Sequence, residues 1–513
     1  MQKIIRDTIY TYIVIRENIK SIIDSESFQR LKYIKQLTIQ HLYPSANHTR
    51  FEHSLGVMHL ALLVFERIKG DISNNQQKIL SKDTADEPFK NLNYLKDHLL
   101  YASLLHDVGH APFSHVGEIF YSKKNILLEI GKEIELIKDK INFSIEFLND
   151  EKIAPHELMS CYVIIKKFLD KLKPIDYTPE NKKNITIDLE FIFRIICGKL
   201  YEGSRDSTVS FIKNIIIKIV NSDTIDVDKI DYLLRDNKMV GYIGPQLDID
   251  RLIMSMIVHD LDGLTFSHTG ISALQGLIDC RNILYLWIFN HHTVVYTDYL
   301  YQKCFIRFTK FNKSNSGLED MPLSSLFSCK AIADDCVSDV DALSMINKVY
   351  KSAKNETLSS QYTFRLVNQL MNRNFLKPIW KTLNQYNVFL ADCGYRTDEQ
   401  KEKLAAYINN WRNRMQLVFD ISLKLGIKRG NLFIIKRENK FFEKILDNLA
   451  VRIDNKRVLI KDSLPIKEYE KKYQKTAFYV YCENELIGDV ETELKNKLKE
   501  IKDHGPQMNF EFF

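Results

Sequence analysis

The sequence lacks the features of a secreted, membrane-bound or zinc-knuckle protein. Its eight cysteines never fall in a CxxC pair, which argues against a zinc knuckle or disulfide framework and is typical of reduced core thiols. Apolar stretches such as residues 60–65 are far shorter than the roughly 20 residues that cross a bilayer. The N-terminus has no signal-peptide core, because Arg6, Asp7, Arg16 and Glu17 interrupt it. We therefore expect a cytoplasmic protein without a membrane partner.

A strong charge of one sign is also missing. The 72 Lys and Arg residues nearly balance the 66 Asp and Glu residues, and a net charge of +6 does not by itself indicate a nucleic-acid partner. Lysine-rich segments at 436–444 and 456–475 keep single-stranded nucleic acid open as a weakly supported partner, but interleaved acidic residues favour ordinary solvated charge. With 45% hydrophobic residues, the 513-residue chain has enough apolar material for two to four globular domains.

Apolar residues at helical spacing are abundant over residues 10–310. Val57, Ala61 and Val64, for example, share one helix face, so this portion is predicted to be mostly α. Residues 70–93 break the pattern and are rich in turn formers, which predicts a surface loop or insertion.

Two changes in the residue pattern along the chain predict domain boundaries. A polar stretch at 312–319 separates two helical blocks, and after about residue 425 short runs rich in β-branched and aromatic residues, such as 431–435 and 477–482, indicate strands. We predict a mainly α fold with a small C-terminal α/β lobe. The predicted parts are residues 1–310, 311–425 and 426–513.

The segment 104–115 concentrates His106, Asp107, His110 and His115. Leucines precede it at the spacing of a buried helix, so these polar side chains should emerge near a helix end. An imidazole beside a carboxylate supplies mixed nitrogen and oxygen ligands, which suit Mn, Fe, Co, Ni or Zn. A lone His-Asp pair is more often a salt bridge or a cap, and the dipeptide alone is weak evidence.

Two other segments offer the missing ligands. His53 lies at the start of the predicted helix through Ile68, where a capping or surface role is equally compatible with the sequence. Residues 226–236 contain four aspartates, including Asp228 and Asp236, and the alternative there is a solvated charged face. Together the three segments indicate a four-ligand metal site.

Four long strings carry a family resemblance: residues 28–37, 50–56, 106–115 and 225–232. Together they resemble the HD superfamily, whose pattern is His, then His-Asp, then a distant Asp. The most similar branch contains the SAM-and-HD-domain deoxynucleoside triphosphate (dNTP) triphosphohydrolases and bacterial dGTPase-like enzymes. The resemblance covers about residues 1–310 well, and it implies an HD-domain helical core with additional helices.

The resemblance also implies site residues, carried over position by position. The implied metal ligands are His53, His106, Asp107 and Asp228. The implied catalytic residues are His110, His115, Glu118 and His156. The implied substrate contacts are Gln36, Arg50, Lys229, Tyr232, Asp236, Arg281, Phe289 and His291.

These positions imply hydrolysis of a dNTP to a deoxynucleoside and inorganic triphosphate. His115 would protonate the leaving 5′ oxygen and Glu118 would orient it, while cationic side chains would meet the roughly four negative charges of the triphosphate. The cofactor would be a divalent transition metal, with Mg on the triphosphate left open. Where the family commonly has Tyr against the ribose 2′-hydroxyl, this chain has Phe289, so the choice between deoxyribose and ribose stays open.

Regulation by a nucleotide activator between subunits is a further implication. The matching positions are Asp24, Gln29, Lys32 and Arg373, and Lys32 replaces an Arg, which is not a conservative exchange. We therefore expect a homo-oligomer, either a dimer or a tetramer.

Two alternatives remain. An HD-type phosphodiesterase acting on a cyclic dinucleotide or nucleic acid would use the same metal. A nucleotide-binding regulatory protein would keep the site as a relic, although retention of the four ligands and adjacent histidines argues against this.

Overall fold

The structure is a computed structural model that describes residues 3–79, 92–138, 143–173, 175, 187–203, 208–242, 247–259, 262–311, 324–353, 358–437, 447–454, 456–463 and 477–504. The predicted boundary at 312–319 lies outside the described residues. The chain divides into two compact units. The first contains residues 1–284, 317–344 and 442–466, and the second contains 285–316, 345–441 and 467–513.

Most of the first unit is helical. Its helices are α1 (Glu17–Ile23), α2 (Glu26–Gln29), α3 (Arg50–Ile79), α4 (Leu92–Leu105), α5 (His115–Glu118), α6 (Lys123–Ile137), α7 (Pro155–Val163), α8 (Leu189–Ile196), α9 (Thr208–Val220), α10 (Val227–Met239), α11 (Ile249–Ser255), α12 (Ile271–Ile283), α14 (Ser324–Phe327), α15 (Cys329–Ala333) and α21 (Ile460–Ser463). Short 3-10 or π turns occupy Arg30–Tyr33, Glu146–Asn149, Ile164–Phe168, Leu169–Lys171 and His268–Gly270.

Two small sheets complete the first unit. β1 (Lys3–Asp7) and β2 (Thr11–Ile15) form an antiparallel hairpin. The second sheet has the order β3-β4-β7-β8, with β3 (Met256–His259), β4 (Gly263–Ser267), β7 (Ala450–Ile453) and β8 (Lys456–Leu459). In it β4 pairs parallel to β7, and the other neighbours are antiparallel.

The second unit combines helices with a three-stranded sheet. Its helices are α13 (His292–Phe311), α17 (Leu358–Met371), α18 (Leu383–Asp392), α19 (Asp398–Asn409), α20 (Trp411–Leu425) and α22 (Ile487–His504). Its antiparallel sheet has the order β5-β9-β6, with β5 (Lys377–Pro378), β6 (Leu432–Lys436) and β9 (Phe478–Cys482). A 3-10 turn occupies Asn484–Leu486, while the π-helical stretch Leu284–Phe289 and α16 (Asp339–Ala353) run across the boundary between the units.

Helix α4 is the central helix of the first unit. Every residue from 94 to 105 is buried, and α3, α8 and α9 all contact α4. A helix that is surrounded by other helices needs apolar residues on all sides, which explains the leucine-rich sequence before His106. The burial of α4 therefore fixes the place from which His106 and Asp107 emerge.

The predicted mainly α fold is confirmed. Helix α3 extends further than predicted, because it continues through Gly70 to Ile79, while residues 80–91 of the predicted loop lie outside the described residues. Ile72 is buried and continues the apolar face, so polar residues of modest helix propensity are tolerated in a helix that is already formed.

The C-terminal strands also differ from expectation in their partners. The sequence suggested one lobe for all of them, but β7 and β8 join the first unit through β4, whereas β6 and β9 pair in the second unit. The three-part division of the chain stays a prediction. No helix among the described residues is long and apolar enough to cross a bilayer.

Candidate functional site

Three helix ends bring the predicted metal ligands together. Helix α3 begins at Arg50, where Glu52 accepts a hydrogen bond from the Thr49 backbone N–H at 2.9 Å, and this places His53 in the first turn. His106 and Asp107 follow the last residue of α4. Asp226 caps α10 by accepting the Lys229 N–H at 2.8 Å, which places Asp228 in its first turn. Since α3 contacts both α4 and α10, the three helix ends meet.

We call His53, His106, Asp107 and Asp228 the His-Asp cluster. Asp228 Oδ1 lies 2.9 Å from His53 Nε2 and 3.7 Å from His106 Nε2. Asp107 approaches the same two nitrogens, at 3.6 Å from His53 and 3.5 Å from His106. Ligand atoms of His53, His106 and Asp228 all lie within 4.8 Å of one another, and these residues could hold a metal ion.

The other ring nitrogen of each histidine is already engaged. His53 Nδ1 lies 2.7 Å from Asp231 Oδ2, and His106 Nδ1 lies 2.8 Å from the Ser103 carbonyl oxygen. Because a carbonyl oxygen only accepts, His106 carries a proton on Nδ1 and keeps its Nε2 lone pair when neutral. Both Nε2 atoms are buried and make no hydrogen bond of acceptable geometry, despite the nearby carboxylates. This is the arrangement by which metal-ligating histidines are oriented.

Electrostatics in the His-Asp cluster favour a positive charge. Burial alone would lower the pKa of His53, but the carboxylates of Asp228 and Asp231 raise it to about 10. Burial alone would raise the pKa of Asp107, but Arg50, which donates to its carboxylate at 2.5 Å, and the nearby histidines hold that pKa well below its usual range. With a pKa of about 10, His53 is protonated at neutral pH in the absence of a metal, and a bound cation would displace its Nε2 proton. The cluster would then combine ionised carboxylates with nitrogen ligands, a set that fits a divalent transition metal.

Asp231 is a supporting residue that the sequence interpretation did not assign. Arg235 donates to both of its oxygens, at 2.9 and 3.0 Å, and Arg235 is itself paired with Asp7 at 2.9 Å. Gly56 makes this approach feasible, because a Cβ there would lie 1.9 Å from Asp231 Oδ1. The available signal was the spacing: Asp231 lies three residues after Asp228, on the same side of α10.

Beside the cluster lies a second set of imidazoles, His110, His115 and His156, which we call the histidine group. His110 Nε2 is 3.3 Å from Asp107 Oδ1, so the two sets adjoin. Glu118 joins two members of the group, because its carboxylate oxygens lie 2.8 Å from His115 Nδ1 and 2.7 Å from His156 Nδ1.

The histidine group also offers nitrogens within 4.8 Å of one another. However, the rings of His110 and His156 stack at a centroid distance of 4.0 Å and an interplanar angle of 18°. Stacked rings direct their in-plane lone pairs side by side, so they do not point at one ion without rotating. Burial favours neutral His156, but Glu118 raises its pKa to about 9. The group is therefore better suited to presenting N–H donors to an anion than to holding a metal.

Several predicted substrate contacts adjoin the site and already have protein partners. Arg50 donates from Nε to Ser114 Oγ at 2.9 Å as well as to Asp107. Lys229 Nζ donates to the Ser222 carbonyl at 2.8 Å and to Asp226. Asp236 lies 2.7 Å from His48 Nε2, and both are buried.

The remaining predicted substrate contacts are distributed over both units. Gln36 is buried and its Oε1 has no hydrogen-bond partner among the described residues. Tyr232 is half-buried on α10, and Arg281 is buried on α12. Phe289 and His291 belong to the second unit, where Phe289 contacts the Tyr285 ring at 5.1 Å.

The predicted activator positions divide between the units. In the first unit, Asp24 forms ion pairs with Lys3 and Lys20 at 3.5 and 3.3 Å, and Gln29 donates to the Ile23 carbonyl at 2.7 Å. Lys32 Nζ lies 4.7 Å from the centroid of the Phe51 ring. In the second unit, Arg373 has a positive φ of 52°. Their regulatory role stays a prediction.

Part of the chain is similar to a known family. Residues 50–185 match the family model described as HD domain, so this part of the chain is similar to that family. The predicted resemblance to the HD superfamily and its dNTP triphosphohydrolase branch is confirmed.

Two relatives carry the deoxynucleoside triphosphate triphosphohydrolase name. The SAMHD1 homolog of Dictyostelium discoideum is 29% identical over 319 residues, covering 62% of this chain and 52% of that protein. SAMHD1 of Bos taurus is 30% identical over 301 residues, covering 56% and 44%. Another relative, at 29% identity over 323 residues, is the uncharacterized protein MJ1154 of Methanocaldococcus jannaschii, with 62% and 52% covered. The chain thus spans about half the length of the curated relatives it matches.

A solved structure supports the fold over nearly the whole chain. The crystal structure of a hypothetical protein from Aquifex aeolicus matches with a TM-score of 0.55 at 20% identity and covers 96% of this chain and 100% of that one. At this identity the likeness is one of fold alone.

Proposed function

We propose that the protein is a metal-dependent dNTP triphosphohydrolase that releases a deoxynucleoside and inorganic triphosphate. The observation that carries the proposal is the juxtaposition of two chemically different sets of histidines. The His-Asp cluster directs buried Nε2 atoms and carboxylates toward a common point, and the histidine group beside it presents ring nitrogens organised by Glu118.

In this proposal the metal ligands are His53, His106, Asp107 and Asp228. A divalent ion held there would lower the pKa of water from 15.7 toward about 7 and so supply a nucleophile at neutral pH. Mn, Fe, Co, Ni and Zn all suit the mixed donor set, and Mg on the triphosphate stays open.

The histidine group supplies the remaining chemistry. Attack of water oxygen on the α-phosphorus breaks the bond to the 5′ oxygen, and His115 donates a proton to that oxygen as it leaves. The side chain of His115 is 66% exposed, so it is accessible to a substrate, while its Nδ1 is held by Glu118. His156 remains protonated up to about pH 9 and can stabilise the negative triphosphate, together with Arg50.

The relatives named as dNTP triphosphohydrolases support the nucleotide assignment. We also infer a homo-oligomer with a nucleotide activator, which the Asp24, Gln29, Lys32 and Arg373 positions would serve. Light scattering with and without added nucleotides tests this part separately from the chemistry.

Product analysis tests the function directly. The purified protein is incubated with Mn or Mg and each dNTP, alone and mixed, beside a His106→Ala control, and products are identified by mass spectrometry. We expect deoxynucleoside and triphosphate in wild type and neither in the control. Activity only in mixtures would indicate activation, whereas inactivity with every metal and dNTP would favour a phosphodiesterase.

A further inference from the structure

The loop between α4 and α5 contains a turn that its residues do not favour by themselves. Phe113 has a φ of 59°, and Ser114 has a φ of 51° with a ψ of −125°. The Ser114 angles are those of the first central residue of a type II′ turn, a place normally taken by glycine. Such conformations persist only where the surrounding structure holds them, and His115 follows immediately.

A carboxylate from a distant part of the sequence holds this turn. Asp339, the first residue of α16, is 5% exposed. Its Oδ1 accepts the Phe113 backbone N–H at 2.7 Å, and its Oδ2 accepts the Lys35 backbone N–H at 2.9 Å. One side chain thus satisfies two backbone donors, one buried and one partly buried, and joins the strained turn to the Lys35 segment.

The Lys35 segment leads directly to the candidate site. Ser114 Oγ donates to the Lys35 carbonyl at 2.5 Å and accepts from Arg50 Nε at 2.9 Å. Arg50 in turn donates to Asp107 of the His-Asp cluster at 2.5 Å. A displacement of Asp339 would therefore be transmitted both to Arg50 and to His115.

A buried arginine also joins the segment before Asp339 to the loop between α4 and α5. Arg30 donates from Nε to the Val337 carbonyl at 2.6 Å and from Nη2 to the His110 carbonyl at 2.6 Å. The segment around residues 337–339 is consequently fixed against the loop between α4 and α5 at two points. It lies outside residues 50–185, the part of the chain that matches the HD domain.

We propose that Asp339 is a positioning residue that completes the candidate site from outside the HD domain, by holding the Phe113–Ser114 turn that places Arg50 and His115. The expected effect on kcat rests on the proposed function, because it assumes the reaction in which His115 donates a proton. The geometry of the turn is independent of the substrate.

The test compares Asp339→Asn with Asp341→Asn. Asparagine has one acceptor oxygen, so one of the two backbone N–H groups would face its amide NH₂ instead. Asp341→Asn makes a matched control, because it removes the same charge two residues away. Asp341 accepts the Ser338 N–H and hydroxyl instead, both at 2.8 Å.

We expect Asp339→Asn to lower kcat on a mixture of the four dNTPs about 10²-fold, as for a misplaced catalytic group. Asp341→Asn should keep kcat within about twofold of wild type, because it lowers only the stability of the α16 cap.

Hydrogen exchange gives a readout without substrate. The amide of Phe113 should exchange faster in Asp339→Asn than in wild type and Asp341→Asn, as measured on peptides covering residues 104–118. Should Asp339→Asn fail to fold, Asp339→Glu retains both oxygens but displaces them, and we expect faster exchange and a kcat about tenfold lower.

The outcomes separate this proposal from the proposed function. Unchanged exchange at Phe113 in a folded Asp339 variant would overturn the positioning role whatever the substrate is. An equal loss of kcat in Asp339→Asn and Asp341→Asn would also overturn it. A wild type that is inactive on every dNTP, with Phe113 deprotected in Asp339→Asn, would overturn the proposed function and support the positioning of the turn.

Discussion

The His-Asp cluster and the histidine group adjoin each other in the first unit, yet they differ in the carboxylates beside their Nε2 atoms and in the arrangement of their rings. In the cluster, His53 and His106 direct Nε2 atoms toward the carboxylates of Asp107 and Asp228, while their Nδ1 atoms are held by Asp231 and the Ser103 carbonyl. In the group, Glu118 holds His115 and His156 by Nδ1, and His156 stacks on His110. Histidine content alone therefore does not identify a metal site. The direction of the ring nitrogens and the surrounding charge would distinguish a metal-binding set from an anion-binding set.

Removal of Asp228 should produce the largest effect and should act on the cluster alone. Asp228→Ala takes away the carboxylate oxygen that lies 2.9 Å from His53 Nε2 and 3.7 Å from His106 Nε2, so we expect loss of bound metal and a fall in turnover of more than about 10³-fold. Metal content by plasma mass spectrometry and product release measure the two effects. Asp250→Ala is the matched control, since Asp250 is an exposed aspartate in the first turn of α11. Normal metal content in Asp228→Ala would remove Asp228 from the metal site.

Neutralising Glu118 should affect the histidine group without affecting the His-Asp cluster. Glu118→Gln removes the charge that orients His115 and His156, and we expect turnover to fall about 10²- to 10³-fold while metal content stays unchanged. Glu133→Gln is a control of comparable exposure, because Glu133 pairs with Lys166 away from the site. If Glu118→Gln also lost its metal, the cluster and the group would have to be treated as one site.

The residues of the His-Asp cluster were easier to predict from the sequence than the residues that surround and support them. His53, His106, Asp107 and Asp228 stand in compact strings, and their meeting follows once three helix ends converge. The mainly α fold was likewise predictable, because helical periodicity is a local property of the sequence.

Contacts between residues far apart in the sequence produce no comparable local sequence pattern. Asp339 reaches Phe113 across 226 residues, and nothing near residue 339 indicates its acceptors. The parallel pairing of β4 with β7 similarly joins distant residues, such as Phe266 and Val451. Contacts of this kind depend on the tertiary arrangement of elements, so a single sequence without that arrangement does not reveal them.

His98 differs from the histidines of both sets, because it is a buried imidazole whose two nitrogens both form hydrogen bonds with the backbone. Its Nδ1 donates to the Tyr94 carbonyl at 2.6 Å, and its Nε2 accepts the Asp188 backbone N–H at 2.7 Å. Protonation would destroy the second bond, and burial lowers the pKa of His98 to about 4. The unfolded chain, with a pKa near 6.5, therefore binds the proton more readily than the folded chain.

The consequence is a loss of stability on acidification. The contribution of His98 to stability is fully present above about pH 6.5 and declines as the pH falls, and the loss amounts to on the order of 3 kcal/mol at pH 4. Urea unfolding at pH 7, 5.5 and 4.5 should show a flatter decline for His98→Gln than for wild type. Exposed His268 supplies the control His268→Gln, which should follow wild type. The difference between variants removes other contributions, including that of Asp97, whose pKa burial raises to about 6. Parallel declines in all three proteins would exclude His98 as the cause.

The smallest expected effect concerns the charge of His156. Burial favours its neutral form, but Glu118 raises the pKa to about 9, so the positive charge persists at neutral pH and is lost as the pH rises through 9. Weaker electrostatic stabilisation of the triphosphate should then lower kcat/KM about tenfold between pH 8.5 and 10. In Glu118→Gln the raising charge is gone, so this decline should begin at lower pH. A pH series of kcat/KM on both proteins, with metal content measured at each pH, separates loss of the histidine charge from loss of metal. An identical decline in wild type and Glu118→Gln would mean that a group other than His156 titrates, and the histidine group would then bind anions through neutral N–H donors and Arg50 alone.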